Sequence, residues 1–109
     1  MKFTTEWHFG NNVCELTPLK IEDQRGFFSE VYQKNDFEKL GIIENFMQEN
    51  HSFTRDKYTF RGLHLQKPPF EQAKLVRVLK GSILDIALDL RQESATYLQH
   101  KKFTLTENN

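Results

Sequence analysis

Apolar and polar residues alternate along this chain in runs of a few positions, each cut by turn residues, with little sign of a helical period. Successive side chains of an extended strand point to opposite faces, so many short runs of this kind indicate an antiparallel sandwich or barrel. The central run is Arg61-Gly62-Leu63-His64-Leu65-Gln66, which puts His64 and Gln66 on one face and Arg61, Leu63 and Leu65 on the other. Pro68 and Pro69 then remove backbone donors and end it. Alternation resumes over Lys74–Leu79, and a strand there can return Lys74 toward His64.

The remaining segments follow the same pattern. Val13–Ile21 contains Pro18 and predicts two short extended pieces near a sheet edge, and Glu22–Gly26 predicts a turn. The run Phe27–Tyr32 predicts a strand with Phe28, Glu30 and Tyr32 on one face, an aromatic beside a carboxylate that suits either a ligand wall or an edge surface. Asn35 as N-cap, Glu38 and Gly41 predict a helical turn over Asp36–Leu40. Strands are expected over Phe46–Phe53 and Lys74–Lys80, the latter turning at Gly81-Ser82 into Ile83–Leu90, with a last strand over Tyr97–Leu105.

A length of 109 residues with 38% hydrophobic content suits one domain. Fifteen basic and fifteen acidic residues cancel, so nothing general favours nucleic acid or an anionic membrane, and any bound anion must be met by particular residues. The ten phenylalanines are scattered and read as core rather than a base-stacking platform. One cysteine, Cys14, excludes an intrachain disulfide and fits a reducing compartment. With no signal-like N-terminus and no stretch near the roughly 20 apolar residues that span a bilayer, the expectation is a cytoplasmic protein.

A histidine and a lysine facing one cavity can take a proton from carbon beside a carbonyl while the cation stabilises the enolate oxygen. Taken alone, a strand histidine is more often structural or exposed. His64, Gln66 and Glu71 echo the metal-binding cupin pattern His-x-His followed by Glu, but glutamine is a poor transition-metal ligand, and His8, His51 and His100 lie on other segments. No catalytic metal is expected. Arg25 and Arg61 could clamp a diphosphate through their guanidinium forks, or could simply lie on the surface.

Five segments in order, Asp23–Glu30, Phe46–Ser52, Arg61–Gln66, Lys74–Val78 and Asp85–Arg91, resemble dTDP-4-dehydrorhamnose 3,5-epimerases. The resemblance implies an all-β, cupin-type antiparallel jelly roll and a homodimer with exchanged strands. It implies epimerisation of a dTDP-4-keto-6-deoxy sugar at C3 and C5, in dTDP-L-rhamnose biosynthesis, without metal or other cofactor. On this resemblance His64 is the base and Lys74 the cation beside the ketone. Arg25, Glu30, Arg61 and the segment Gln48, Glu49 and Asn50 match positions that hold the nucleotide, with Phe28 an aromatic of the ligand wall. Glu49 stands where the family commonly has Asp, and Leu65 where an aromatic is common. Strict alternation puts Arg61 opposite His64, so either the chain bends at Gly62 or Arg61 reaches another subunit's pocket.

Members of that family are longer, and their further residues supply a tyrosine acid, an aspartate that orients the base, a second histidine and closing strands. Tyr32, Tyr58 and Tyr97 match none of those motifs. The expectation is therefore one jelly-roll domain over 1–109 with its C-terminal strands missing, and weak activity. A catalytically impaired sugar-nucleotide-binding or assembly module is the alternative, and a ketoisomerase acting on the same sugar nucleotide fits the motifs less well.

Overall fold

A computed structural model describes residues 2–109 and contains six strands and one short helix. Strands β1 (Phe3–His8) and β2 (Val13–Pro18) pair antiparallel, as do β3 (Lys20–Asp23) with β4 (Gly26–Ser29) and β5 (Ser82–Leu88) with β6 (His100–Thr106). Helix α1 (Lys34–Lys39) follows the second hairpin.

Local chemistry accounts for the turns. Between β1 and β2 the backbone enters the left-handed region at Phe9 (φ 52°) and Gly10 (φ 69°), and Asn12 Nδ2 closes the loop on the Phe9 carbonyl at 2.8 Å. Between β3 and β4, Asp23 accepts from the Arg25 amide at 2.8 Å, and Gly26 takes φ 138°, which a side chain would disfavour. Helix α1 starts two residues earlier than Asn35 suggests: its cap is Gln33, whose Oε1 accepts from the Asp36 amide at 2.8 Å. A long amide side chain can span the same gap as a short one, and Asn35 lies inside the helix.

The core is small and aromatic. Phe37 on α1 is 2% exposed and Phe3 on β1 is 4% exposed. Their rings meet edge to face at 5.3 Å, Tyr32 meets Phe37 edge to face at 4.8 Å, and Phe46 extends the cluster from Tyr32 at 5.8 Å. His8 packs edge-on to Phe103 at 5.2 Å, which joins the first hairpin to β6.

The strands expected over Phe46–Phe53, Arg61–Gln66 and Lys74–Lys80 are not formed, and neither is a hairpin at Gly81-Ser82: β5 pairs with β6 instead. Residues 42–81 keep their alternating pattern but have no ladder partner, because a strand exists only where a neighbour accepts its backbone hydrogen bonds. Their apolar side chains are left open, Met47 at 90% and Phe60 at 79% exposure. The consequence is measurable in bulk. The radius of gyration is 15.5 Å against about 13 Å for a compact domain of this length. The accessible surface is 9816 Å², about 3,500 Å² more than a folded monomer of this mass presents. No helix among the described residues is long and apolar enough to cross a membrane.

Candidate functional site

The β3–β4 hairpin and the chain that leaves it form one wall. Phe28 on β4 and Glu30 just after it line a hollow of about 270 Å³ together with Lys2, Leu19 and Ile21. Lys2 Nζ holds Glu30 at 2.9 Å and lies 3.4 Å from Asp36 on α1. Its pKa is raised, first by the hydrogen bond to Glu30 and then by the charge of Asp36. Lys2 was not singled out in the sequence, because it lies far along the chain from Glu30 and meets it only when β1 packs under α1.

Arg25 sits at the tip of the same hairpin, donating from Nε at 3.2 Å and Nη2 at 2.7 Å to Asp23 Oδ2. That hydrogen bond from the guanidinium is the main cause of a lowered Asp23 pKa. The Asp23 contact orients the fork and leaves its Nη1 edge for an anion.

The other candidates lie on the segment without ladder partners. Gln48 Nε2 donates to Asn50 Oδ1 at 3.0 Å, so these two side chains share a face, while Glu49 is exposed beside them. Gly62 adopts φ 91°, so the chain departs from extended geometry between Arg61 and His64 and strict alternation does not relate them. A Cβ at Gly62 would fall 2.8 Å from His64 Nδ1 and 3.1 Å from its amide nitrogen, so only glycine fits here without moving the imidazole. His64, Lys74 and Arg61 are exposed. The ion pairs among the described residues join Lys2 to Glu30 and Asp36, Arg25 to Asp23 and Arg91 to Asp89, and involve none of these three. The structure thus brings together Phe28 with Glu30 and Gln48 with Asn50, and among the described residues gives His64 and Lys74 no ion-pair partner.

Asp89 is the polar group that sequence reasoning quoted within a motif without giving it a task. It is 6% exposed and accepts from the Arg91 amide and Nε through Oδ1, at 3.0 and 2.9 Å. Its Oδ2 accepts from Arg91 Nη2, Ser94 Oγ and Thr96 Oγ1 at 2.9, 2.7 and 2.5 Å. The Arg91 hydrogen bond, then that of Thr96, holds its carboxyl well below the usual carboxylate range. The spacing Asp-x-Arg-x-x-Ser-x-Thr was the available signal. The cluster fixes the connection from β5 to β6, where Leu98 donates to the Asp89 carbonyl at 2.7 Å.

Comparison with known proteins gives this geometry a context. The family described as dTDP-4-dehydrorhamnose 3,5-epimerase matches residues 11–109. The chain is 41% identical over 99 residues to the dTDP-4-dehydrorhamnose 3,5-epimerase of Salmonella typhimurium, covering 90% of this chain and 54% of that protein. The Methanothermobacter thermautotrophicus enzyme of the same name is 37% identical over 94 residues, covering 86% and 50%. The Bacillus anthracis epimerase, crystallised with TDP and PPi bound, superposes with a TM-score of 0.94 at 39% identity over 98% of this chain and 61% of that one. The Sulfolobus tokodaii epimerase gives 0.88 at 43% identity over 100% and 60%. The chain spans about half the length of the curated relatives it matches, and its fold is the all-β cupin-type jelly roll of the solved epimerases, of which it covers about three-fifths. At a TM-score of 0.94 the path of residues 42–81, lacking ladder partners here, is the path the B. anthracis chain takes. By motif, sequence identity and backbone, this chain belongs to the dTDP-4-dehydrorhamnose 3,5-epimerase family.

Proposed function

We propose that the chain is the nucleotide-binding and base-bearing part of an epimerase acting at C3 and C5 of a dTDP-4-keto-6-deoxy sugar, in dTDP-L-rhamnose biosynthesis. The observation that carries this reading is the 0.94 superposition on an epimerase over 98% of the chain, with all five motifs in order. His64 takes the C3 or C5 proton onto its imidazole, the C–H electron pair moves toward the ketone oxygen, and Lys74 stabilises the resulting enolate. Return of a proton from water to the opposite face of that carbon inverts it, slowly, since no tyrosine of this chain matches the family's acid. Phe28 and Glu30 on the hairpin wall, Arg25 at its tip, and Gln48, Glu49, Asn50 and Arg61 hold the nucleotide and its diphosphate, a task suited to guanidinium forks and amide donors. No metal or other cofactor is needed, because the adjacent ketone already acidifies the carbon.

The chain acts in the cytoplasm as a homodimer with exchanged strands, with no nucleic-acid or membrane partner. The about 3,500 Å² of surplus surface supports the dimer, since a stable interface buries only about 1,200–2,000 Å². The unpaired backbone of residues 42–81 offers the edges at which a second chain can pair.

The test is proton NMR of dTDP-4-keto-6-deoxyglucose in deuterated water, with the chain and with His64→Ala. Loss of the C3 and C5 signals with the chain but not the variant supports the enzyme, at a rate below that of a full-length relative. Thymidine broadening without exchange would replace it with a binding module, and the absence of both broadening and exchange would overturn the reading for this chain.

A further inference from the structure

Outside the epimerase site, the β1–β2 hairpin gathers three metal-ligating side chains from its two strands. Glu6 and His8 are two apart on β1 and share a face. The register sets Glu15 of β2 directly opposite Glu6. The ligand atoms of Glu6, His8 and Glu15 lie within 4.8 Å of one another.

Two further observations make this more than a meeting of acidic groups. Carboxylates directly opposed across an antiparallel pair repel, and here no lysine or arginine relieves them, the ion pairs among the described residues lying elsewhere. His8 Nε2 is buried and makes no hydrogen bond. The ring is held instead by its edge-on contact with Phe103, so no protein partner competes with a ligand for that nitrogen. A bound cation would relieve both.

We propose that Glu6, His8 and Glu15 form a binding site for a divalent transition metal of the zinc type. The donor set, one imidazole nitrogen and two carboxylates, favours such an ion over calcium or magnesium, which take oxygen alone. Cys14 is no ligand: it precedes Glu15 on β2 and points to the opposite face. Around a zinc ion, donors about 2.0–2.2 Å from the metal stand about 3–3.5 Å apart. The glutamate stems supply the small closure from the spacing seen, and water fills the open position. The site is structural: it ties β1 to β2 and, through the seat of His8 on Phe103, the first hairpin to β6.

Titration of the 109-residue chain with Zn²⁺ by calorimetry, and with Cu²⁺ while recording ¹H–¹⁵N spectra, tests this directly. Expected are one Zn²⁺ per chain and Cu²⁺ broadening confined to the β1–β2 hairpin and Phe103. Zn²⁺ affinity should fall at least about tenfold in both His8→Ala and Glu15→Gln, and persist in His51→Ala and His100→Ala. Glu15→Gln changes only a charge, so its spectrum separates loss of the site from loss of the fold. Absence of Zn²⁺ binding, binding unaffected by both site variants, or broadening centred on His51 or His64 would each overturn the proposal.

Discussion

If the Phe3, Tyr32 and Phe37 cluster organises the candidate site, removing its centre should cost far more than removing a comparable ring elsewhere. Phe37 is 2% exposed and makes edge-to-face contacts with Phe3 and Tyr32 at 5.3 and 4.8 Å. Truncation to alanine forfeits both ring pairs and leaves a cavity, at a cost of about 3–5 kcal/mol. With a urea slope of about 2 kcal/mol per molar for a domain of this size, the unfolding midpoint should drop by about 2 M. Against a typical stability of about 5–15 kcal/mol, that is a large share of the total. Phe37→Leu keeps most of the apolar volume and loses the ring pairs, about 0.5–1.5 kcal/mol each, so it should fall between. Phe60→Ala is the matched control: the ring is 79% exposed, and its loss should change stability by no more than about 0.5 kcal/mol. Urea unfolding followed by far-ultraviolet circular dichroism measures all of these. Equal midpoints for Phe37→Ala and Phe60→Ala would refute the reasoning and place the stabilising contacts elsewhere.

Gly62→Ala should slow C3 and C5 deuterium exchange at least about tenfold, because its methyl would push His64 Nδ1 back by roughly 0.6 Å to reach ordinary contact. Thymidine broadening should be unchanged, and an unaltered exchange rate would count against the close approach. Asp89 has a folded pKa below its ordinary 3.8, so its contribution to stability is present above that pH and is lost as pH falls through the folded value. Acid unfolding should therefore be shallower in Asp89→Asn than in the parent chain, and parallel acid profiles would contradict the role given to the Arg91, Ser94 and Thr96 contacts.

Local features were legible in the sequence. The turn at Asp23–Gly26 follows from a side-chain carboxylate and a glycine a few positions apart, and Pro18 does end β2. The class of fold followed from short alternating runs, and the motifs identified the family before any coordinates. The candidate side chains were legible as chemistry but not as a site, since periodicity assigns a residue to a face and says nothing of what lies opposite. Gly62 illustrates the limit: alternation set Arg61 against His64, and a positive φ between them removes that relation.

What the tertiary structure alone decided is every pairing between residues distant in the chain. Lys2 reaches Glu30 because Phe3 packs on Phe37, Glu6 faces Glu15 because the hairpin register makes them partners, and Asp89 is buried because the β5–β6 connection folds over it. Residues 42–81 make the same point from the other side. Their sequence specifies strands, yet a strand is a property of two backbones, and this chain by itself supplies only one.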